Sequence, residues 1–152
     1  MGSSLRASLD ALKQSSTILN STVDEASELV LALEDYLTKT CGVGMDLHVS
    51  AGNMADLDPG AANPELEVFL GYGRIGGKYR ITIATRPQNG GDLDEAPWTD
   101  YNRTLKLATV RYLPELVERL AMLMNVLAAR TKESTESVIA EIRKQIPKGG
   151  KK

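Results

Sequence analysis

The strongest constraint in this chain is a repeat of apolar residues near its start. Leu5, Leu9, Leu12, Ser16, Leu19, Val23, Ala26, Val30, Leu33 and Leu37 follow one another at alternating steps of four and three. That spacing is a heptad seam, broken once by a polar residue at Ser16. Read as one helix, residues 4–39 would span about 50 Å at 1.5 Å per residue. A chain of 152 residues cannot cover such a length with its own core. Two outcomes satisfy the pattern. The helix breaks near Ser15–Thr22, where Thr22 and Glu25 have the spacing of a capping box, or it stays continuous and packs its outer half on another chain. Gly42 and Gly44 then stop it.

Strands follow. Asp46–Ser50 alternates polar and apolar residues, the pattern of a short half-buried strand. Residues 51–64 carry Gly, Pro and Asn and read as a loop. Residues 65–75 and 78–86 are two β-rich runs joined by Gly76-Gly77, a two-residue hairpin turn. If Ile75 faces Lys78, then Tyr72 faces Ile81, Leu70 faces Ile83 and Val68 faces Thr85, all on one face of the pleat. Glu67, Phe69, Gly71 and Gly73, with Arg80, Thr82 and Ala84, fall on the other face, expected to be solvated or lightly covered. Residues 87–98 read as an acidic loop, and Thr99 or Asp100 as the cap of the helix after it.

That helix carries Leu105, Thr109, Tyr112, Leu116, Leu120, Leu123 and Leu127 on its apolar face. Pro114 should kink it or make it restart. Residues 120–129 are apolar on nearly every side, which suits burial all round or sharing with a second subunit. In the shared case Leu120, Leu123 and Leu127 face the sheet, while Met122, Met124 and Val126 face the other subunit. A last helix starts after Ser134 or Thr135, with Val138, Ile139, Ile142 and Ile146 on one face, and Pro147 ends it. Residues 148–152 read as a disordered basic tail. The expected fold is therefore α+β, in the order α-β-β-β-α-α. It is a single domain over 1–147, with a three-stranded antiparallel sheet covered on one face by helices from both termini.

Composition narrows the function classes. One Cys excludes an internal disulfide and a four-cysteine zinc site, and one His excludes a histidine-rich metal centre within one chain. No cofactor is implied. Apolar runs are too short for a membrane span, and the first residues lack the apolar stretch of a signal peptide, so a cytoplasmic protein is expected. Residues 1–100 hold 7 Lys+Arg against 15 Asp+Glu, a balance of −8, and residues 101–152 hold 11 against 5, a balance of +6. The basic C-terminal half, its lysine tail, and Arg74, Arg80 and Arg86 beside Phe69, Tyr72 and Tyr79 raise nucleic acid as a partner. Neutralisation between the two halves explains the same asymmetry, and the overall charge of −2 favours it.

Three motifs invite chemistry. Residues 71–76 match G-x-G-x-x-G, but dinucleotide binding needs those glycines between a strand and a helix N-terminus, and here strand follows strand. Asp56–Asp58 and Asp92–Glu95 could offer oxygen ligands, yet neither loop supplies the six positions of a calcium loop. Cys41 and His48, seven residues apart, could approach as a nucleophile and base. A lone cysteine is more often a small buried hydrophobe.

The run LGYGRIGGKYRI, the Pro97-Trp98 pair, and Arg103, Ala108 and Leu113-Pro114-Glu115-Leu116 together resemble a pattern of short bacterial proteins. In these a glycine-rich hairpin precedes a helix carrying R-x4-A-x4-L-P-x-L. The resemblance covers residues 66–120 and implies the hairpin-then-helix fold, with no activity attached. The reading that fits best is a non-enzymatic interaction module, an adaptor, chaperone-like or inhibitory protein acting as a homodimer or larger homo-oligomer. It would assemble through Leu5, Leu9, Leu12, Met122, Met124 and Val126. A nucleic-acid-associated regulator and a small nucleotide- or ligand-binding protein are the alternatives.

Overall fold

The computed structural model describes residues 2–146, so the expected tail at 148–152 lies outside the described residues. The chain divides into two units at Leu116/Val117. The first unit opens with α1 (Gly2–Asp35), which runs without interruption into a single wide turn at Tyr36–Thr40. The capping-box alternative fails for a local reason. Thr22 Oγ1 donates to the carbonyl of Ile18 at 2.8 Å, and Thr17 does the same to Lys13 at 2.9 Å. Both hydroxyls satisfy themselves against the preceding turn, which leaves the helix ladder intact. The end falls as expected at Gly42, whose φ of 62° suits a residue without Cβ.

Four antiparallel strands form one sheet in the order β1-β2-β3-β4: β1 (Leu47–Asn53), β2 (Leu66–Ile75), β3 (Lys78–Pro87) and β4 (Asp94–Pro97). The central hairpin has the expected register, with Ile75 opposite Lys78, Tyr72 opposite Ile81, Leu70 opposite Ile83 and Val68 opposite Thr85. Gly76 and Gly77 both take positive φ, 59° and 81°, the combination that a hairpin turn matching strand twist needs. The expected three-stranded sheet is corrected to four strands. Residues within the acidic loop, Asp94–Pro97, pair with Thr82–Thr85 of β3. The first loop is also partly ordered, since β1 extends to Asn53 and a short helix, α2 (Met54–Leu57), follows it.

Val49, Val68, Leu70, Tyr72, Ile81 and Ile83 line one sheet face and are fully buried. The C-terminal half of α1 and α3 (Arg103–Val110) pack on that face, bringing Val30, Leu105 and Thr109, and Leu37 of the wide turn is buried as well. Trp98 is fully buried and its indole N–H donates to Thr109 Oγ1 at 3.2 Å. The cap of α3 is Asn102, whose side chain accepts from the Leu105 N–H at 2.9 Å. Thr99 and Asp100 instead belong to a short 3-10 turn over Trp98–Asp100. Tyr72 donates from its hydroxyl to the Val43 carbonyl at 2.8 Å, and burial pushes its phenol up to about 12.

A buried carboxylate joins α1 to the sheet. Glu34 accepts the Ile81 N–H at 2.9 Å with one oxygen and Arg80 Nε at 3.0 Å with the other. β4 ends at Pro97 opposite Thr82, so the Ile81 N–H lies beyond its reach, and Glu34 supplies the missing acceptor.

The restart at Pro114 is also as expected. α3 ends at Val110, and α4 (Leu113–Gln145) carries Pro114 in its first turn, where the absent N–H costs nothing. The separate last helix is corrected, because α4 continues through Ser134 to Gln145. Ser134 Oγ donates back to the Arg130 carbonyl at 3.0 Å and so extends the helix it was expected to cap. In the second unit α4 is exposed almost throughout beyond the buried Leu120, and Leu123 and Leu127 are exposed, contrary to the buried role expected of them.

Glu34→Ala should cost about 3 kcal/mol in urea unfolding, because it strands the Arg80 charge and an edge N–H together. Glu34→Gln, which can still accept from Ile81, should cost less.

Candidate functional site

Two surfaces of the first unit and one of the second carry features beyond core packing. The first is the N-terminal half of α1. Helix-forming residues continue the seam past the point where the fold covers it. Val30 and Leu37 are buried, whereas Leu5, Leu9 and Leu12 are 63%, 55% and 66% exposed. Ile18 and Leu29 add further exposed apolar surface. Single exposed leucines are ordinary on a protein surface, whereas these three share one stripe at heptad spacing. The second-unit surface is on α4, where Met122 and Val126 are 66% and 53% exposed and Met124 is half-buried. Val138, Ile139 and Ile142 lie exposed further along.

The third surface is the sheet face turned away from the core, and here a polar cluster appears that sequence reasoning did not assemble. His48 on β1 and Glu95 on β4, at opposite edges of the sheet, meet with Nε2 and Oε2 2.8 Å apart. Thr82 Oγ1 on β3 donates to the same Oε2 at 2.5 Å. Both side chains lie across β2, and glycine is what lets them. A Cβ at Gly71 would collide with the His48 ring and come within 2.7 Å of Thr82 Oγ1. A Cβ at Gly73 would lie 2.7 Å from Glu95 Oε2. Two glycines of the G-x-G-x-x-G match thus make room for an imidazole–carboxylate pair, and the last, Gly76, forms the hairpin turn. Burial pushes the Glu95 carboxyl up, but the hydrogen bonds from His48 and Thr82 and the His48 charge outweigh it, and the net shift is downward.

The remaining sequence candidates are dispersed. Arg80 is held by Glu34, and Arg86 lies 3.7 Å from Glu67 and over the Phe69 ring at 5.1 Å. Arg74 pairs with Tyr79 at the hairpin end, where strand alternation puts it on the face of Tyr72, opposite to that of Arg80 and Arg86. The three arginines therefore do not form one patch. Cys41 is exposed, not the buried hydrophobe expected of a lone cysteine, while His48 is engaged by Glu95. Asp58 accepts from the Asn102 amide at 3.3 Å. Among the described residues no group of three or more His, Cys, Asp or Glu is placed to hold a metal, and no helix is long and apolar enough to cross a membrane.

Neither protein-family models, curated proteins nor solved structures yield a match to this chain.

The polar cluster makes its own predictions. Because the Glu95 carboxyl is lowered in the fold, its stabilising contribution is complete above the ordinary carboxylate pKa of 4.5 and is lost as pH falls below it. Glu95→Gln should flatten the acid limb of a stability–pH curve and leave the curve near neutrality with little slope change. Gly71→Ala should cost about 1–3 kcal/mol through overpacking against His48 and Thr82. Gly73→Ala should cost less, since it meets only the flexible end of Glu95.

Proposed function

We propose that the protein is a non-enzymatic interaction module that works as a homo-oligomer, with the exposed heptad stripe of α1 as its principal contact. The observation that carries this reading is the exposure of Leu5, Leu9 and Leu12 on the same seam whose later members are buried. A helix that presents leucines every third and fourth residue to water carries a surface suited to another helix. The exposed Met122 and Val126 of α4, with half-buried Met124, offer a second apolar face for a further protein partner. Methionine's flexible thioether suits such a face, because it adapts to differently shaped partners. The dispersal of Arg74, Arg80 and Arg86 weighs against a nucleic-acid surface built from them.

Light scattering coupled to size exclusion tests the proposal. At about 10 μM the protein should elute with the mass of a dimer or higher oligomer, and a strict monomer would overturn the reading. Leu9→Asp and Leu12→Asp should each give a folded monomer with unchanged far-ultraviolet circular dichroism, since neither side chain belongs to the core. If Met122→Asp and Val126→Asp dissociate the oligomer while the α1 variants do not, the principal contact lies on α4 instead.

A further inference from the structure

The short strand β4 has little of its own to hold it in the sheet. Asp94 is exposed and Glu95, Ala96 and Pro97 are half-buried, so β4 adds no fully buried side chain to the core. It is an edge strand and pairs only with Thr82–Thr85 of β3. Alternation along β3 narrows that pairing further. The Ile81 N–H points away from β2, to Glu34. The amides of Ile83 and Thr85 therefore point the same way, towards β4, and those of Thr82 and Ala84 point to β2. The ladder to β4 thus rests on Ile83 and Thr85, opposite Ala96 and Asp94. Residues 88–93 before β4 are exposed, and Trp98 just after it is fully buried.

We propose that the His48–Glu95 pair is a strap that keeps β4 docked, and that acid opens it, freeing residues 88–96 and baring the outer edge of β3. Glu95 reaches across β3 and β2 to His48 on the far edge strand, 2.8 Å from Oε2 to Nε2, and the same oxygen accepts from Thr82. β4 is thereby tied to β1, a strand with which it does not pair. The far end of the tie is firm, because His48 is paired opposite Gly71 and the next residue, Val49, is fully buried. When the strap opens, the buried Trp98 is the pivot. The N–H and C=O groups of Ile83 and Thr85 then face water as an unpaired strand edge.

The groups around Glu95 fix the direction of the switch. It meets His48 from β1, Thr82 from β3 and the glycines Gly71 and Gly73 from β2. Asp94 and Asp100 lie near it in sequence, and the Tyr101 phenol is pushed up by burial and then by Asp94, Glu95 and Asp100. The arginines of β3 are engaged elsewhere, Arg80 by Glu34 and Arg86 by Glu67. An imidazole with its proton on Nε2 and an imidazolium both donate to a carboxylate, so protonation of His48 leaves the strap closed. Protonation of Glu95 removes the charge on which both hydrogen bonds depend. Burial pushes that carboxyl up, the bonds from His48 and Thr82 outweigh it, and the net shift is downward from 4.5. The strap is therefore closed above that value and opens as pH falls below it.

Amide hydrogen exchange followed residue by residue tests the strap, because neighbouring amides of β3 report on different strands. At neutral pH, Glu95→Ala and His48→Ala should each lower the protection of Ile83 and Thr85 by about tenfold or more, while Thr82 and Ala84 keep theirs. The unmutated protein, taken from about pH 6 to about pH 3 and corrected for intrinsic exchange, should lose protection at the same two amides. In Glu95→Ala that pH step should have no further effect on them. If all four amides lose protection together, β4 leaves only with the whole sheet and the strap is overturned. Unchanged protection at Ile83 and Thr85 would mean that the ladder alone holds β4, which overturns it as well. A pH effect that survives in Glu95→Ala would assign the release to another carboxyl and overturn the role of Glu95. Where a variant fails to fold, the two pH values on the unmutated protein decide by the same comparison of amides.

Discussion

The Glu34 carboxylate decides how far the long first helix belongs to its own fold. One oxygen completes the β3 edge where β4 has ended, and the other meets a guanidinium, so the ion is both paired and hydrogen-bonded where it is buried. Burying a charge is tolerable only on those terms. A shorter fourth strand would leave more edge than one carboxylate could serve, and a longer one would fill the place of Glu34. The helix is thus anchored near its C-terminal end, against the edge of the sheet. Further back along the helix, Asn20 accepts from Arg103 at 2.9 Å.

Anchoring also explains why the bare half can be helical at all. An isolated segment of about 18 residues is marginal as a helix in water, because nucleation is costly. Here the packed half supplies the nucleus, and residues 2–19 only propagate it, with no proline or glycine between Ser3 and Cys41 to stop them. The leucine stripe is therefore held in helical form by the packed half of the same helix. Preorganisation of that kind lowers the ordering cost of association.

Much of the architecture is legible in the sequence, and the misses share one cause. The hairpin can be placed to the residue because its turn and its alternation are independent local signals that agree on one register. β4 is invisible by the same test, since Asp94-Glu95-Ala96-Pro97 has neither β-branched residues nor length. Those four residues are a strand only because β3 offers a ladder. Ser134 and Thr22 look like caps in isolation, yet a hydroxyl that can bond forward as a cap can bond back to the preceding turn, and the helical context decides. The His48–Glu95 pair spans 47 positions, and nothing local connects them. One signal pointed there: two glycines alternating on the outer face of a strand mark a place where something must lie close.

That outer face shows how a four-stranded sheet closes its second side without a second layer. Phe69, His48 and Glu95 are half-buried there, while Gly71, Gly73, Thr82 and Ala84 beneath are buried. Small residues on β2 and β3 lower the floor, and two long polar side chains from the edge strands lie across it. The imidazole and carboxylate lie over the centre of the sheet and remain partly exposed to water. Polar atoms of His48 and Glu95 thus sit there, beside the half-buried Phe69. The α1 stripe is the opposite case: its backbone is satisfied within the helix, and what it shows to water is leucine. The two surfaces thus meet water differently, the sheet face through a polar pair and the helix through leucine.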